Sequence, residues 1–559
     1  LVGQSDACPD DPQLAFSGIL TGRGTNLCSV GRDDLCFSND HLTESTPESN
    51  RSIPKSLPMH RSPHQALTDQ VFDLAIIGGG ILGAGIARDA AMRGLSVALI
   101  EKNDFASGTS SASTKLIHGG LRYLEQLAFL LVAESCRERS ILLDTASHLV
   151  KPLPLLMPVY DGDQHSLFKL RLGTTVYDWM TLSRHRLMPR HETRTPGEAV
   201  ALEPALPARG QDGSALKGAV VVYDCQMDDA RLCIETVLDA EQRGAVCMNY
   251  CQVTGVRMQG HRVESVQVDD EINNQSFDVR AKAVVNASGP WAEQVCRFNR
   301  TAPGMRLSPT KGVHLVIPRM LQKHGIYFQS KGDGRMIFLL PWDDASLLGT
   351  TDTDFYQDPG EARAETEDVI YLLDQLNSIM PDADVSQRDI ITSFAGVRAL
   401  ARSDGQRPSR RSREAKIVQQ GDNLLNVAGG KYTTFRAIAD KTLLKVFRLL
   451  NKRPPQCETA TTPLIDRRPA QSGAQLAASP AIFESDVIHA CRAERAVTLA
   501  DVMRRRTRLA LSSSGGRPVA EAVTRTMAAE LGWDATAQSN HLNEYLEVWD
   551  RSSQWSGKV

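Results

Sequence analysis

The run Asp73-Leu-Ala-Ile-Ile-Gly-Gly-Gly-Ile-Leu-Gly83 constrains this chain more than any other feature. A short apolar strand breaks into Gly78, Gly80 and Gly83 at GxGxxG spacing. Ala87, Ala91 and Gly94 then give a helix a small-residue face for close packing on a sheet, and a second apolar strand, Ser96 to Ile100, ends at Glu101. Glycines let backbone approach a pyrophosphate, and the helix N-terminus offers unpaired N–H groups and a positive dipole end. An acid about 20 residues past the glycines can accept from ribose hydroxyls. A bound dinucleotide is the expectation; a bare strand-turn-helix whose glycines serve packing alone is the alternative.

At 559 residues the chain is long enough for three to four units of roughly 150 residues each. Hydrophobic residues at 42% and charged residues at 23% are near globular averages, so most of it can bury a core. Lys plus Arg (63) against Asp plus Glu (66) leaves a net charge of -3, which excludes a global basic field for nucleic acid; any phosphate binding must be local. Eleven cysteines contain no CxxC pair, which supports neither a disulfide scaffold nor a zinc or iron–sulfur site, and no metal is expected. Residues 1 to 70 are rich in Ser, Thr, Asp, Pro and Asn without a sustained period, the composition of disorder. They carry neither a secretory nor a transit pattern. Met59 is the first methionine, and a start of translation at or near it competes with a real extension.

The glycine fingerprint is shared by NAD and FAD, and two later segments favour FAD. Ala283-Val-Val-Asn-Ala-Ser-Gly289 is a buried strand running into a turn, and Leu424-Leu-Asn-Val-Ala-Gly-Gly430 repeats that plan before Lys431-Tyr-Thr-Thr-Phe-Arg436. Gly429 and Gly430 feed a helix with Thr433 and Thr434 in its first turns, and such an N-terminus suits the negative charge of a reduced flavin.

Gly108-Thr-Ser-Ser-Ala-Ser-Thr-Lys-Leu-Ile-His-Gly-Gly-Leu-Arg-Tyr-Leu-Glu125 resembles the signature of FAD-dependent glycerol-3-phosphate dehydrogenases. The resemblance continues through Asp228-Asp-Ala-Arg-Leu232, Asn286-Ala-Ser-Gly-Pro-Trp291, Lys311-Gly-Val-His314, Gly349-Thr-Thr-Asp-Thr-Asp354, Gly396-Val-Arg398 and Gly429-Gly-Lys-Tyr-Thr-Thr434, spanning about residues 71 to 555. It implies an α/β, D-amino-acid-oxidase-like flavoprotein. A Rossmann-like FAD domain would come from about 71–150, 220–310 and 390–450, and an antiparallel-sheet substrate domain from about 151–219 and 311–389. A C-terminal helical cap would occupy 460–559. Local patterns agree: Ile326 to Lys331 and Arg335 to Leu340 flank the hairpin turn Gly332-Asp333-Gly334, and Thr498 with Asp501 forms a capping box. The arginines from Arg504 to Arg508 are expected at a solvated helix end.

Oxidation of a secondary alcohol beside a phosphate needs an anion clamp, a base and a dry pocket. Guanidinium and ammonium groups suit a dianion. The resemblance points to Arg122, Arg398 and Lys431 as clamp, with Arg413 added. Ala399 follows Arg398 where the family usually has proline, and Ser409-Arg-Arg-Ser-Arg413 is more basic than its counterpart. For the base, His314 and His118 qualify, because histidine changes charge near neutral pH. His314, on the alternating run Val313-His-Leu-Val-Ile317, is assigned the proton; His118 is the alternative or orients the flavin loop, and Tyr123 contacts substrate. Thr109, Ser110, Ser111, Ser113 and Thr114 offer hydroxyls to the pyrophosphate or ribityl chain, and turn or capping roles would use the same residues. Thr350, Thr351 and Asp352 line the site or stabilise a loop.

The sequence has no iron–sulfur spacing, haem CxxCH or second nucleotide fingerprint, so electrons must leave to oxygen or a quinone. Residues 165 to 191 interleave Phe168, Leu172, Trp179 and Met180 with Lys169, Arg171, Arg184, Arg186 and Arg190, opposed by Asp178 alone. That suits an anionic lipid surface or, equally, a core-packed helix with a basic edge. The resemblance implies an enzyme peripheral to the inner face of the cytoplasmic membrane, reducing ubiquinone or another quinone, with a homodimer as one assembly. Asp382-Ala-Asp-Val-Ser386 begins like a calcium loop, but Gln387 and Ser393 stand where glycine and glutamate are required, so calcium is not expected. The expected reaction converts glycerol 3-phosphate to dihydroxyacetone phosphate. The rivals are an amino-acid or amine oxidase of the same fold, with one arginine for a carboxylate, and a flavin-binding protein without catalysis.

Overall fold

In the computed structural model, residues 63–125, 127–181, 188–299, 304–330, 332–402 and 413–554 are described. The N-terminal segment through Met59, Arg184, Arg186, Lys331 and Ser409 to Ser412 lie outside them. Val71–Ile77 forms the central strand of a sheet ordered Lys416–Gln420, Leu424–Ala428, Gln275–Asn286, Val71–Ile77, Val97–Ile100 and Val246–Met248. Its middle is parallel: Leu74 pairs with Val97 on one side and Ile77 with Asn286 on the other. All residues of the central strand after Val71 are buried, because helices cover one face of the sheet and the strands Cys251–Gln259 and Arg262–Asp270 pack on the other. Ile81–Met92 packs against Asp229–Gln242 and Phe435–Leu449. Gly85 is what admits the last of these, since a Cβ there would lie 2.7 Å from the Phe435 ring.

The second sheet is ordered Thr353–Asp354, Thr310–Pro318, Ala345–Gly349, Met336–Trp342, Gly325–Gln329, Val150–Tyr160, Leu216–Met227 and Leu116–Ile117. It is antiparallel except where Gly325–Gln329 meets Val150–Tyr160. The expected hairpin is present, with Ile326 opposite Leu339. Thr392–Arg398, expected in the nucleotide-binding unit, instead pairs along Thr310–Pro318 in this second sheet. That strand is therefore bonded on both edges and buried through Ile317, while Gly312 and His314 on one of its faces line a cavity between the two sheets.

The C-terminal helices Glu484–Ala493, Ala520–Leu531 and Ala535–Ser553 close over a core that includes Val487, Leu499, Val502, Met503, Val523 and Met527. The Thr498 side chain accepts from the Asp501 N–H, as the capping box requires. The arginine cluster is not a solvated helix end. Arg506 grips Asp104 with two hydrogen bonds of 2.6 and 2.9 Å, Arg505 joins it, and Arg508 reaches Asp228 and Asp343. Burial opposes charge on Asp104, yet Arg506 and Arg505 hold its carboxyl down at about 2. A buried carboxylate demands such partners. The helical unit is thus bolted to the loop three residues beyond Glu101.

Candidate active site

A cavity of about 700 Å³ runs between the two sheets, and its wall joins segments from the whole length of the fold. At one end lie Gly78, Gly80 and the first residues of Ile81–Met92. Gly83 is set back from the wall and has a packing duty: a Cβ there would sit 1.9 Å from the Gly78 carbonyl oxygen. Glu101 accepts from the Gly79 N–H at 2.6 Å and the Asn103 N–H at 3.0 Å. Burial raises its carboxyl above the usual range, against the pull of those two donors. Close backbone, a helix start and a carboxylate at the strand end fit the pyrophosphate and ribose of a dinucleotide.

The hydroxyls after Gly108 are mostly committed within the protein. Thr109 donates to the Val397 carbonyl at 2.6 Å, Ser110 accepts from the Ile81 N–H at 2.9 Å, and Ser113 donates to Asp229 at 2.7 Å. Asp229 is also paired with buried Lys115 at 2.6 Å. These residues build the cavity wall, whereas Ser111 and Thr434 do not line it. Gly289, Gly429, Gly430 and Thr433 do. The Thr433 hydroxyl accepts from the His118 N–H at 3.2 Å, tying the two motif segments together.

Four cations converge at the other end. Gly120 turns the chain into the short helix Leu121–Leu124, which carries Arg122 and Tyr123. Arg398 ends the strand Thr392–Arg398, and Lys431 precedes the turn Tyr432–Thr434. Arg413 completes the group. Arg398 donates to Asp352 at 3.0 Å and to Thr350 and the Thr351 carbonyl at 3.2 Å; Arg413 lies 3.4 Å from the same carboxylate. Among the described residues no carboxylate pairs with Arg122 or Lys431. Arg122 bonds the Tyr123 hydroxyl at 3.2 Å, and the Lys431 ammonium donates to Ser135 and sits 4.2 Å over the Tyr123 ring.

Burial and that excess charge together move several titratable groups nearby. Burial, then Arg413 and Arg122, lowers Lys431 to about 8 despite the opposing effect of Tyr123. Burial and neighbouring Arg413 and Arg122 bring Arg398 to about 10 against the pull of Asp352. Burial would raise Tyr123, but Arg413, Arg122 and Lys431 bring it to about 8. His118 is pushed well below the usual histidine range by burial and then by Lys431, Arg122, Arg413 and Arg139. His314 falls likewise, through burial, Arg398 and Lys115. Both imidazoles are neutral at neutral pH.

The two histidines differ in access. His314 is 2% exposed, stacks on Phe394 with ring centroids 5.0 Å apart, and has its Nε2 3.0 Å from the Thr114 hydroxyl. Its Nδ1 is sealed from water and has no hydrogen-bond partner among the described residues. Gly349 makes this fit, since a Cβ there would come within 2.2 Å of the imidazole. His118 is half-buried beside the cations, and both histidines line the cavity. Sequence reasoning gave no role to Asp224, Arg139, Lys115 or Asp229. Lys115 and Asp229 each stood within a quoted motif, but their pairing spans 114 residues of chain, and that of Arg139 with Asp224 spans 85.

A family model described as FAD dependent oxidoreductase matches residues 73–439, and one described as the C-terminal domain of alpha-glycerophosphate oxidase matches residues 455–538. A glycerol-3-phosphate dehydrogenase of Synechocystis sp. is 32% identical over 546 residues, covering 87% of this chain and 98% of that protein. The aerobic glycerol-3-phosphate dehydrogenase of Staphylococcus saprophyticus is 40% identical over 390 residues, 69% of this chain and 68% of that protein. A solved glycerol-3-phosphate dehydrogenase from Bacillus halodurans, complexed with FAD, is similar with a TM-score of 0.70 at 27% identity, over 89% of this chain and 98% of that one. The chain belongs to the FAD-dependent oxidoreductase family, in the branch that carries the alpha-glycerophosphate oxidase C-terminal domain, and FAD is its cofactor.

Proposed function

We propose that this enzyme oxidises glycerol 3-phosphate to dihydroxyacetone phosphate and passes the electrons to a membrane quinone. The observation that carries the reading is the convergence of Arg122, Arg398, Arg413 and Lys431 on one cavity with Asp352 as the carboxylate among them. A dianionic phosphate relieves that imbalance, whereas an amino-acid carboxylate needs a single guanidinium. Arg122 and Lys431 hold phosphate oxygens, and Arg398, oriented by Asp352, closes the clamp. His118 accepts the proton of the secondary hydroxyl: it is neutral, faces the cavity and stands beside the clamp. His314, with Nε2 on Thr114 and Nδ1 sealed, shapes the wall and replaces its expected role as base with a positioning one. FAD, when bound, accepts the hydride released from the substrate carbon.

Glycerol 3-phosphate is expected to bleach the flavin under anaerobic conditions while amino acids do not; bleaching by amino acids alone contradicts the reading. Arg122→Met is the clean clamp variant because it orphans no carboxylate. It is expected to raise KM roughly 10- to 100-fold, from the loss of a charge-assisted hydrogen bond of about 1.5–3 kcal/mol. An unchanged KM counts against the clamp.

In the free enzyme Lys431 loses its proton and Tyr123 gains a negative charge as pH rises through about 8. Both changes weaken attraction for a dianion, so kcat/KM is expected to fall above that pH. A bound phosphate raises both groups, so kcat at saturation holds to higher pH. The low pKa of His118 keeps the base unprotonated down to well below the usual histidine range, leaving an acid limb near 6 to the substrate phosphate itself. Tyr123→Phe should make the alkaline limb shallower; an unaltered limb in both Tyr123→Phe and Lys431→Arg assigns it elsewhere.

The surface supports a peripheral membrane position at the inner face of the cytoplasmic membrane. Leu167–Thr181 leaves Phe168 77% and Trp179 74% exposed, with Leu172, Lys169 and Arg171 also outward. The start of the adjacent helix Phe129–Thr145 adds Leu130, 89% exposed, and Leu127. Among the described residues no helix is long and apolar enough to cross a membrane. Aromatic and aliphatic tips among cations suit the headgroup boundary of an anionic bilayer. Holoenzyme is expected to float with anionic vesicles at low salt and to float less after Phe168→Ser with Trp179→Ser; absence from the vesicle fraction contradicts the placement.

A further inference from the structure

The loop that carries Arg122 and Tyr123 rests on a buried polar node built from Asp224, Tyr177 and Arg139. Asp224, on Leu216–Met227, uses one oxygen, Oδ1, for three donors: the Gly119 N–H at 3.1 Å, the Tyr177 hydroxyl at 2.7 Å and the Arg139 guanidinium. Arg139 also donates to the Tyr177 hydroxyl at 2.9 Å and the Tyr223 carbonyl at 3.1 Å. All three side chains are buried.

The loop backbone lies directly on this node. A Cβ at Gly119 would come within 2.2 Å of the Tyr177 hydroxyl and 2.5 Å of the Cys136 sulfur. On its other side Gly120, at φ +84°, backs onto the site: a Cβ there would meet the Tyr123 ring at 2.7 Å and the Lys431 ammonium at 2.9 Å. The two glycines thus lie between the Tyr177 hydroxyl and the clamp, with Asp224 itself reaching the cavity wall, and a shift of the Gly119 N–H carries His118, Arg122 and Tyr123 with it.

We infer that Asp224, fixed by Tyr177 and Arg139, is a positioning residue that sets the depth of the Gly119–Gly120 loop and thereby the spacing of the phosphate clamp. The inference rests on the clamp reading given above. A displacement near 1 Å in such a loop is enough to degrade a bidentate anion contact. Tyr177 belongs to Leu167–Thr181, so the helix with the exposed aromatic face also supplies an anchor for the substrate loop.

Tyr177→Phe is the informative variant, since it deletes one hydroxyl and leaves Asp224 paired with Arg139. In FAD-loaded enzyme it is expected to raise the KM for glycerol 3-phosphate about 3- to 10-fold, with kcat within about twofold and flavin content unchanged. The dissociation constant of inorganic phosphate, read from the flavin difference spectrum, is expected to rise in parallel. Asp224→Asn should act in the same direction and more strongly, since buried Arg139 also loses its carboxylate. Unchanged KM and phosphate affinity in Tyr177→Phe, with any loss confined to melting temperature, overturns the inference. The phosphate titration needs no turnover: parallel weakening in a protein that glycerol 3-phosphate does not bleach upholds the node and rejects the substrate.

Discussion

Positive charge gathered without equal negative charge is the constraint on which this site depends. Arg122, Arg398, Arg413 and Lys431 repel one another across one cavity, and Asp352 answers that field at Arg398 and Arg413. A fold tolerates such an arrangement when packing over-determines the side chains and a ligand supplies the missing charge. Burial together with this field keeps His118 neutral and brings Lys431 to about 8, and the field outweighs burial in bringing Tyr123 to about 8.

The rest of the molecule supplies the rigidity. The parallel sheet and its tightly packed helices hold the glycine turn, the second sheet delivers His314 and Arg398, and Asp224 supports the loop between them. The C-terminal helices contribute through Asp104: with Arg505 and Arg506 closed on it, the segment beyond Glu101 is braced from outside the nucleotide-binding unit. Paired buried charges of this kind are costly to break, because loss of one partner leaves the other unanswered.

Much of this was legible in the sequence because its signals are local. GxGxxG, the acid at Glu101 and the glycine-rich turns at Gly289 and Gly429 each encode backbone conformation within a few residues. Arg122, Arg398 and Lys431 were found through motif resemblance, since nothing in the spacing of three cations spread over 310 residues announces their meeting. The misread features have a common cause. The Arg504 to Arg508 cluster looked solvated because its partner Asp104 lies some 400 residues away. Thr392–Arg398 was placed in the nucleotide-binding unit because its pairing along Thr310–Pro318 is a tertiary fact. Asp224 and Tyr177 carried no local signature at all.

The most direct measurement is a diffraction structure of the FAD-loaded enzyme with a non-reactive phosphate-bearing analogue of glycerol 3-phosphate. The account predicts the phosphate seated between Arg122 and Arg398, within hydrogen-bond reach of Lys431, and the secondary hydroxyl turned toward His118. A phosphate bound elsewhere, with those cations still facing an unfilled cavity, would contradict it.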